Sequence, residues 1–304
     1  MLRSQGFNRI SLGVQDFDPD VQKAVNRIQP EEQTLAIIAA AREADFRSVS
    51  IDLIYGLPKQ TLATIGQTLA KVVAANPDRI AIYNYAHMPH LFKPQRRIAE
   101  EDLPDADIKM EMLFLCIRQL NEGGYVYIDM DHFAKPTDDL AIAQREGRLH
   151  RNFQGYSTHA EADLVSCGVS AISAVGPTYN QNLKTLDAYY DHLDKGELPL
   201  ARGIRLSDDD LLRRQLIQRL MCNFELSLVA LEQAFSIDFA TYFAAEMEQL
   251  LIMQQDGLIT MDGEWLRVTL KGRLLIRNIC MVFDIYLSSK REAEAELRRY
   301  SKTI

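Results

Sequence analysis

The chain has 304 residues, with 34 Lys and Arg against 42 Asp and Glu and a formal charge of -8. With 47% hydrophobic and 25% charged residues it has the balance of a globular protein, which excludes a disordered chain, and its length suits about two domains with real cores. A net acidic chain is a poor nucleic-acid binder, and no window approaches 18 uncharged apolar residues, so neither DNA nor a membrane is an expected partner.

The opening MLRSQGFNRI lacks the apolar core of a signal peptide, which predicts a cytoplasmic protein. Cys116, Cys167, Cys222 and Cys280 lie 51, 55 and 58 residues apart, so no pair has the CxxC or CxxxC spacing of a zinc or iron–sulfur site. In a cytosolic chain such isolated thiols read as small, mostly buried core residues.

The first third alternates β-like runs with amphipathic helices, the pattern of parallel βαβ units. Strands are predicted at Arg9 to Val14, Val49 to Tyr55, Arg79 to Tyr85 and Tyr125 to Met130. Between them, Leu62, Ile65, Leu69, Val72 and Val73 form one helical stripe, and Met110, Leu113, Phe114, Ile117 and Leu120 another. Four strands cannot close a (β/α) barrel, and the chain opens on a strand with no helix before it. The pattern predicts an open part-barrel whose N-terminal portion is absent.

From about 131 to 204 the periodicity weakens, and HRNFQGYSTHAEAD crowds polar and aromatic residues together. Such a stretch is either functional or a surface excursion with small structures of its own. From Ser207 the pattern is helical, with stripes at Leu212, Leu216, Ile217, Leu220 and Phe224 and at Phe243, Met247, Leu250 and Leu251. LITMDGEWLRVT then predicts a hairpin about Asp262-Gly263, followed by a helix from Lys271. This is the order of a winged helix. With 13 basic and 15 acidic residues between 205 and 304, a lid or packing domain fits better than DNA binding.

Ligands of parallel α/β structures bind at the C-terminal ends of the strands, which singles out Gln15, Asp52 and the segment Asn84 to His87. Asp52 lies inside an apolar run and needs a partner if buried; it is either a ligand-binding group or a structural carboxylate capped by backbone N–H groups. Arg27 can clamp a carboxylate or pair with Glu31. His87 and His90 have HxxH spacing in a Pro-containing loop without an acid or Cys at fixed spacing, so no metal site is expected. Asp129, Asp131 and His132 form a polar rim at the end of the fourth strand. GxSxG, Walker A and GxGxxG motifs are absent, so hydrolase, P-loop and dinucleotide readings lose their support, and no catalytic residue can be named.

The segments RISLGVQDF, VNRIQ, IDLIYGLPKQT, IYNYAH, DMDHFAKP, HRNFQGYST, GVSAIS and GRLLIRNICMVFD resemble the oxygen-independent coproporphyrinogen III oxidases (dehydrogenases), radical S-adenosylmethionine (SAM) enzymes of haem biosynthesis. The related haem-chaperone branch shares GVQ and the GLP turn, but has a Gly-Arg-x-His element where this chain has Asn26-Arg27-Ile28-Gln29, and lacks DHFA and RNFQGY, which favours the oxidase. The resemblance implies the C-terminal two-thirds of such an enzyme: part of a radical SAM (β/α) barrel over 1–135, a substrate-site loop and connecting segment over 136–204, a helical winged-helix-like domain over 205–290 and a charged tail over 291–304.

It further implies that Gln15, Arg27 and Asp52 contact SAM by side chains, and that Ala86 and Ile172 line the site by backbone and apolar contact. A tetrapropionate substrate, coproporphyrinogen III, calls for basic residues, for which His132, Lys135, Arg145, Arg148 and Arg151 are the candidates. The implied cofactors are SAM and a [4Fe-4S] cluster fed by an electron donor, in a monomer. The family's CxxxCxxC run, and the glycine-rich strand end and glutamate that follow it, are absent here. The chain alone is therefore expected to bind no cluster through that motif and not to cleave SAM. The alternative is a non-catalytic remnant that binds porphyrinogen or haem, or a relative of the haem chaperone.

Overall fold

The computed structural model describes residues 1–287; the expected tail at 291–304 and the last residues of the expected helical domain lie outside them. The chain divides into two compact units, Met1–Ile142 among the described residues and a second beginning at Ala143.

In the first unit β1 (Arg9–Gln15) leads through α1 (Pro19–Ala24) and α2 (Glu31–Glu43) to β2 (Ser48–Tyr55). The chain continues through α3 (Leu62–Ala75), β3 (Arg79–Asn84), α4 (Ala106–Glu122), β4 (Val126–Asp129), β5 (His132–Ala134) and the start of α5 (Asp139–Arg145). β1, β2 and β3 are parallel, with Ile51 opposite both Leu12 and Ile80.

Strand alternation sends Val49, Ile51, Leu53 and Tyr55 to one face, where they share a core with Ile65, Leu69 and Val72 of α3 and Met112, Cys116 and Leu120 of α4. Each such side chain stabilises the unit by roughly 1.5–3 kcal/mol on burial. α3 starts where Thr61 and Thr64 cap each other reciprocally and stops at Asn76 in the left-handed region. The α4 stripe differs from the predicted one: Met112, Cys116 and Leu120 are buried, whereas Phe114 is half exposed. Apolar residues occur on more than one side of this helix, so periodicity alone does not resolve which stripe faces the core.

The fourth predicted strand also behaves differently. The sheet order is β1-β2-β3-β5-β4, with β5 antiparallel to both neighbours. Met130, at φ 46, turns the chain back at once, so His132–Ala134 and not β4 lies beside β3. The first unit is thus a partial barrel sheet ending in a hairpin.

The second unit contains the hairpin of β6 (His150–Asn152) and β7 (Gly155–Ser157), then β8 (Ile172–Val175), β9 (Thr178–Asn182), α6 (Leu186–Asp194) and β10 (Leu200–Arg205). β8, β9 and β10 form an antiparallel sheet, so the irregular stretch does carry structure of its own. Then follow α7 (Asp208–Asn223), β11 (Glu225–Ser227), α8 (Leu228–Phe235), α9 (Phe239–Tyr242), α10 (Ala244–Gln255), β12 (Ile259–Met261), β13 (Trp265–Val268), α11 (Leu270–Arg273) and α12 (Ile276–Met281).

This is a mostly helical, winged-helix-like fold. The β12–β13 hairpin pairs Met261 with Leu266 about Gly263, which sits at φ 87. The Asp262 carboxylate accepts the Glu264 and Trp265 amides and steadies the turn. Leu212, Leu216 and Leu220 of α7 are buried as the stripe predicts, and Phe243 packs edge-on against Phe283 at 5.4 Å; Leu251, in contrast, is half exposed. Cys116, Cys222 and Cys280 are buried and Cys167 is exposed. Burial pushes the Cys116 thiol up to about 12, the behaviour of a core residue and not of a nucleophile. Among the described residues no helix is long and apolar enough to cross a membrane.

Candidate functional site

β1, β2 and β3 bury one face against helices, and the residues between the buried ones point the other way. Ser11 and Gly13 of β1, Asp52 of β2 and Tyr83 of β3 alternate with core residues, and β5 adds His132 opposite Ala81. Asp52 stands between Gly13 and Ala81 in the register. Both neighbours are small, Ala81 buried and Gly13 half-buried, so neither flanking strand sets a bulky side chain in register against the carboxylate.

The Asp52 side chain accepts from the Ser11 hydroxyl, 3.2 and 3.1 Å from its two oxygens. Capping by backbone N–H groups, one of the two readings of this residue, is not found among the described residues. Partial burial raises its pKa above the ordinary carboxylate value, and the Ser11 hydrogen bond only partly offsets this. An under-satisfied acceptor on an open face is suited to ligand hydroxyls or an ammonium group.

Gln15 ends β1 in the left-handed region at φ 69, just after a register shift between Gly13 and Gln15, and the Asp16 N–H closes a three-residue turn on the Val14 carbonyl at 2.9 Å. This kink re-aims the side chain, whose Oε1 is buried without a hydrogen-bond partner among the described residues. Asn84, at the same end of β3, also has a buried and unpartnered Oδ1. Two orphaned acceptors at one end of a parallel sheet mark a site that awaits donors.

Arg27 donates to the Gly13 carbonyl at 2.6 Å. Glu31 pairs with Lys71 at 2.7 Å and not with Arg27, so the guanidinium has no carboxylate partner among the described residues. A Cβ on Gly13 would come within 3.0 Å of Gln15 Nε2 and 3.2 Å of Arg27 Nη2. Gly13 is therefore the space into which both side chains fold.

A buried network holds this turn in place. Asp16 is 1% exposed; its Oδ1 accepts from Thr68 Oγ1 and the Asp18 amide, both at 2.7 Å, and its Oδ2 accepts from Gln60 Nε2. Gln60 in turn accepts the Gly56 amide at 2.6 Å and donates to the Ile54 carbonyl at 3.0 Å. Burial is the largest influence on Asp16 and raises its pKa despite these donors. The network ties the end of β1 to the end of β2 and to α3. Neither it nor Ser11 was among the expected site residues; the available signal was only that Asp16 and Gln60 closely follow two strand ends.

Of the other expected residues, Ala86 lies in the loop after β3, its carbonyl held by Gln95 Nε2 at 3.0 Å. His87 lies within 3.4 Å of the Tyr85 hydroxyl, and among the described residues no three His, Cys, Asp or Glu gather as metal ligands. His132 packs edge-on to Tyr83 at 6.0 Å on the open face, whereas Asp129 is fully buried in the hairpin. Lys135 stands at the opposite end of the sheet, donating to the Asn76 carbonyl at 3.2 Å and lying 3.6 Å from Asp78, so it is not part of this rim. Arg145 ends α5 exposed. In the second unit, Ile172 opens β8 with its carbonyl taken by Ser166, while Arg148 and Arg151 line a cavity of that unit.

The family model for the radical SAM superfamily matches residues 1–72, and that for the HemN C-terminal domain matches 206–275. An oxygen-independent coproporphyrinogen III oxidase of Pseudomonas aeruginosa is 52% identical over 289 residues, 95% of this chain and 63% of that protein. One of Thermostichus vulcanus is 49% identical over 95% of this chain and 89% of that protein. A solved structure described as coproporphyrinogen III oxidase (HemN) from Escherichia coli, a radical SAM enzyme, aligns with a TM-score of 0.91 at 51% identity, covering 94% of this chain and 66% of that one. The chain thus spans less than two thirds of the Pseudomonas relative it matches.

Proposed function

Because the chain belongs to the family of oxygen-independent coproporphyrinogen III oxidases, radical SAM enzymes, we propose that its first unit holds SAM on the rim of β1 and β2, in the service of coproporphyrinogen III decarboxylation. The observation that carries this reading is Asp52, an under-satisfied carboxylate set between two small residues on the open face. Its oxygens accept from the ribose hydroxyls or the amino group of the ligand. Arg27 exchanges its backbone carbonyl for the methionyl carboxylate, a stronger, charge-assisted contact. Gln15 supplies the orphaned Oε1 to a donor, and Ala86 offers backbone and apolar contact.

SAM, when bound and reductively cleaved by an electron supplied from outside these residues, would provide the hydrogen-abstracting chemistry by which each of two propionates gives up a hydrogen atom, CO2 and one electron to an acceptor and becomes a vinyl group of protoporphyrinogen IX. The role of these residues is to orient that ligand and keep water from it. The [4Fe-4S] cluster of the family does not fit this chain's cysteines: the sequence has no CxxxCxxC run, and three of its four thiols are buried. No step is therefore assigned to a cluster held here.

Two measurements test the reading. SAM should bind at least tenfold more tightly than 5'-deoxyadenosine, which lacks the methionyl carboxylate and amino group, and Arg27→Gln should reduce that preference; equal affinities in the wild type, or an unchanged preference in the variant, would overturn it. After anaerobic reconstitution with iron and sulfide, the chain alone should release no 5'-deoxyadenosine from SAM.

A further inference from the structure

The second unit holds a cavity of about 1120 Å³ walled by β6, β8, β9 and one face of α7. Cavities for drug-sized ligands run roughly 300–1,000 Å³, so this one suits a larger molecule. The periodicity of α7 builds the wall: Leu212, Leu216 and Leu220 turn into the core, while Arg214, Gln218 and Arg219 line the cavity. Gln218 fixes the opposite side, accepting the Arg151 amide at 3.1 Å and donating to the Arg151 carbonyl at 2.6 Å.

The arginines of α7 fall into two kinds. Arg213 is bound to Asp209 at 2.9 Å and Glu246 at 2.7 Å and lies over the Phe243 ring, a structural arrangement. Among the described residues Arg214 has only long contacts, 3.5 Å each to the Gly176 carbonyl and the Tyr179 hydroxyl, with its guanidinium 5.7 Å over the Tyr179 ring. Arg219 donates to the Gly147 carbonyl at 2.7 Å. Neither has a carboxylate partner among the described residues. The acids at the cavity are Glu161 and Asp163; Asp163 accepts the Gly176 amide at 2.8 Å. His150 also lines it; burial and then the Arg214 charge lower its pKa, against the opposing charge of Glu161.

We propose that this cavity binds a ligand bearing several carboxylates, with Arg214 and Arg219 as its carboxylate-binding residues; resting on the reading above, the ligand is the tetrapropionate macrocycle. A planar guanidinium grips a carboxylate through two parallel hydrogen bonds, and one left without an acid inside a large cavity is prepared to do so. Tyr179 offers the macrocycle an aromatic wall.

The test uses the full chain and two probes, coproporphyrin III, followed by fluorescence, and mellitate, a benzene polycarboxylate without a macrocycle. Wild type should bind coproporphyrin III, mellitate should compete, and R214Q/R219Q should weaken binding at least tenfold. Arg9→Gln, which removes a charge paired with Asp139 in the first unit, should change it less than twofold. Circular dichroism should be unaltered in all variants. Undiminished coproporphyrin III binding by R214Q/R219Q overturns the inference and leaves the substrate reading standing. Arginine-dependent mellitate binding with no affinity for coproporphyrin III supports a polycarboxylate cavity and overturns the macrocycle. Binding of neither probe overturns the inference.

Discussion

Gly13 and Asp52 are partners across the β1–β2 ladder, so the one residue of β1 without a side chain stands beside the carboxylate of the open face. That pairing leaves room for the side chains of Gln15 and Arg27, and for a ligand beside Asp52.

Gly13→Ala should separate fold from site. The new Cβ would press on the tips of two flexible side chains and on no backbone atom, and Gly13 lies outside the left-handed region. Stability should change by less than ~1 kcal/mol, while SAM affinity should fall about tenfold as Gln15 and Arg27 are displaced. Thermal unfolding and calorimetric titration check the two halves.

Asp52 should impose a pH dependence of known sign. Its raised pKa means that the folded state disfavours the ionised form. SAM affinity should therefore rise with pH through a value above the ordinary Asp pKa, as the acceptor charges, and Asp52→Asn should flatten the profile. In the empty protein the stability effect runs the other way. The penalty of the ionised group is present above the folded pKa and vanishes below the unfolded one, so the Asn variant should be at least as stable as wild type at pH 7, with any advantage lost near pH 4.

Removal of Gln60 should destabilise the first unit. Gln60→Ala strips a donor from Asp16 Oδ2 and an acceptor from the Gly56 amide, both buried, at a cost of about 1–3 kcal/mol for the unsatisfied groups. Asp16→Ala should cost a similar amount. The double variant should fall short of the sum, because both act through one network. Urea midpoints at constant m-value give the comparison.

Gly272 offers a sharper test of the second unit. A Cβ there would lie 2.0 Å from the Leu258 carbonyl oxygen and 2.9 Å from its carbon, so backbone must move. Gly272→Ala should cost more than about 2 kcal/mol, or prevent folding, with the β12–β13 hairpin the part disturbed. An unchanged melting temperature would contradict the close approach of α11 to Leu258.

Gln15 and Asp52 were legible because strand periodicity and position at a strand end are local properties. Their partners were not. Ser11 reaches Asp52 only through the register of two strands whose residues are 41 apart in sequence, and Asp16 meets Gln60 and Thr68 across 44 and 52 residues. The His132–Ala134 strand has three residues, too few for any period to appear, so the hairpin that edges the sheet was invisible until the turn at Met130 was seen. Arg148 and Arg151 were candidates because the resemblance implied a tetrapropionate substrate, whereas nothing local in the sequence separates Arg214 from Arg213; the acids that hold Arg213 do so.

Asp52 is the residue on which the proposed SAM site of the first unit rests. The most direct measurement is isothermal titration of the chain with SAM, comparing wild type with Asp52→Asn at pH 7. One site per chain is predicted, with affinity at least tenfold weaker in the variant and melting temperature undiminished. Equal affinity in the two proteins, or no binding by wild type, would contradict it.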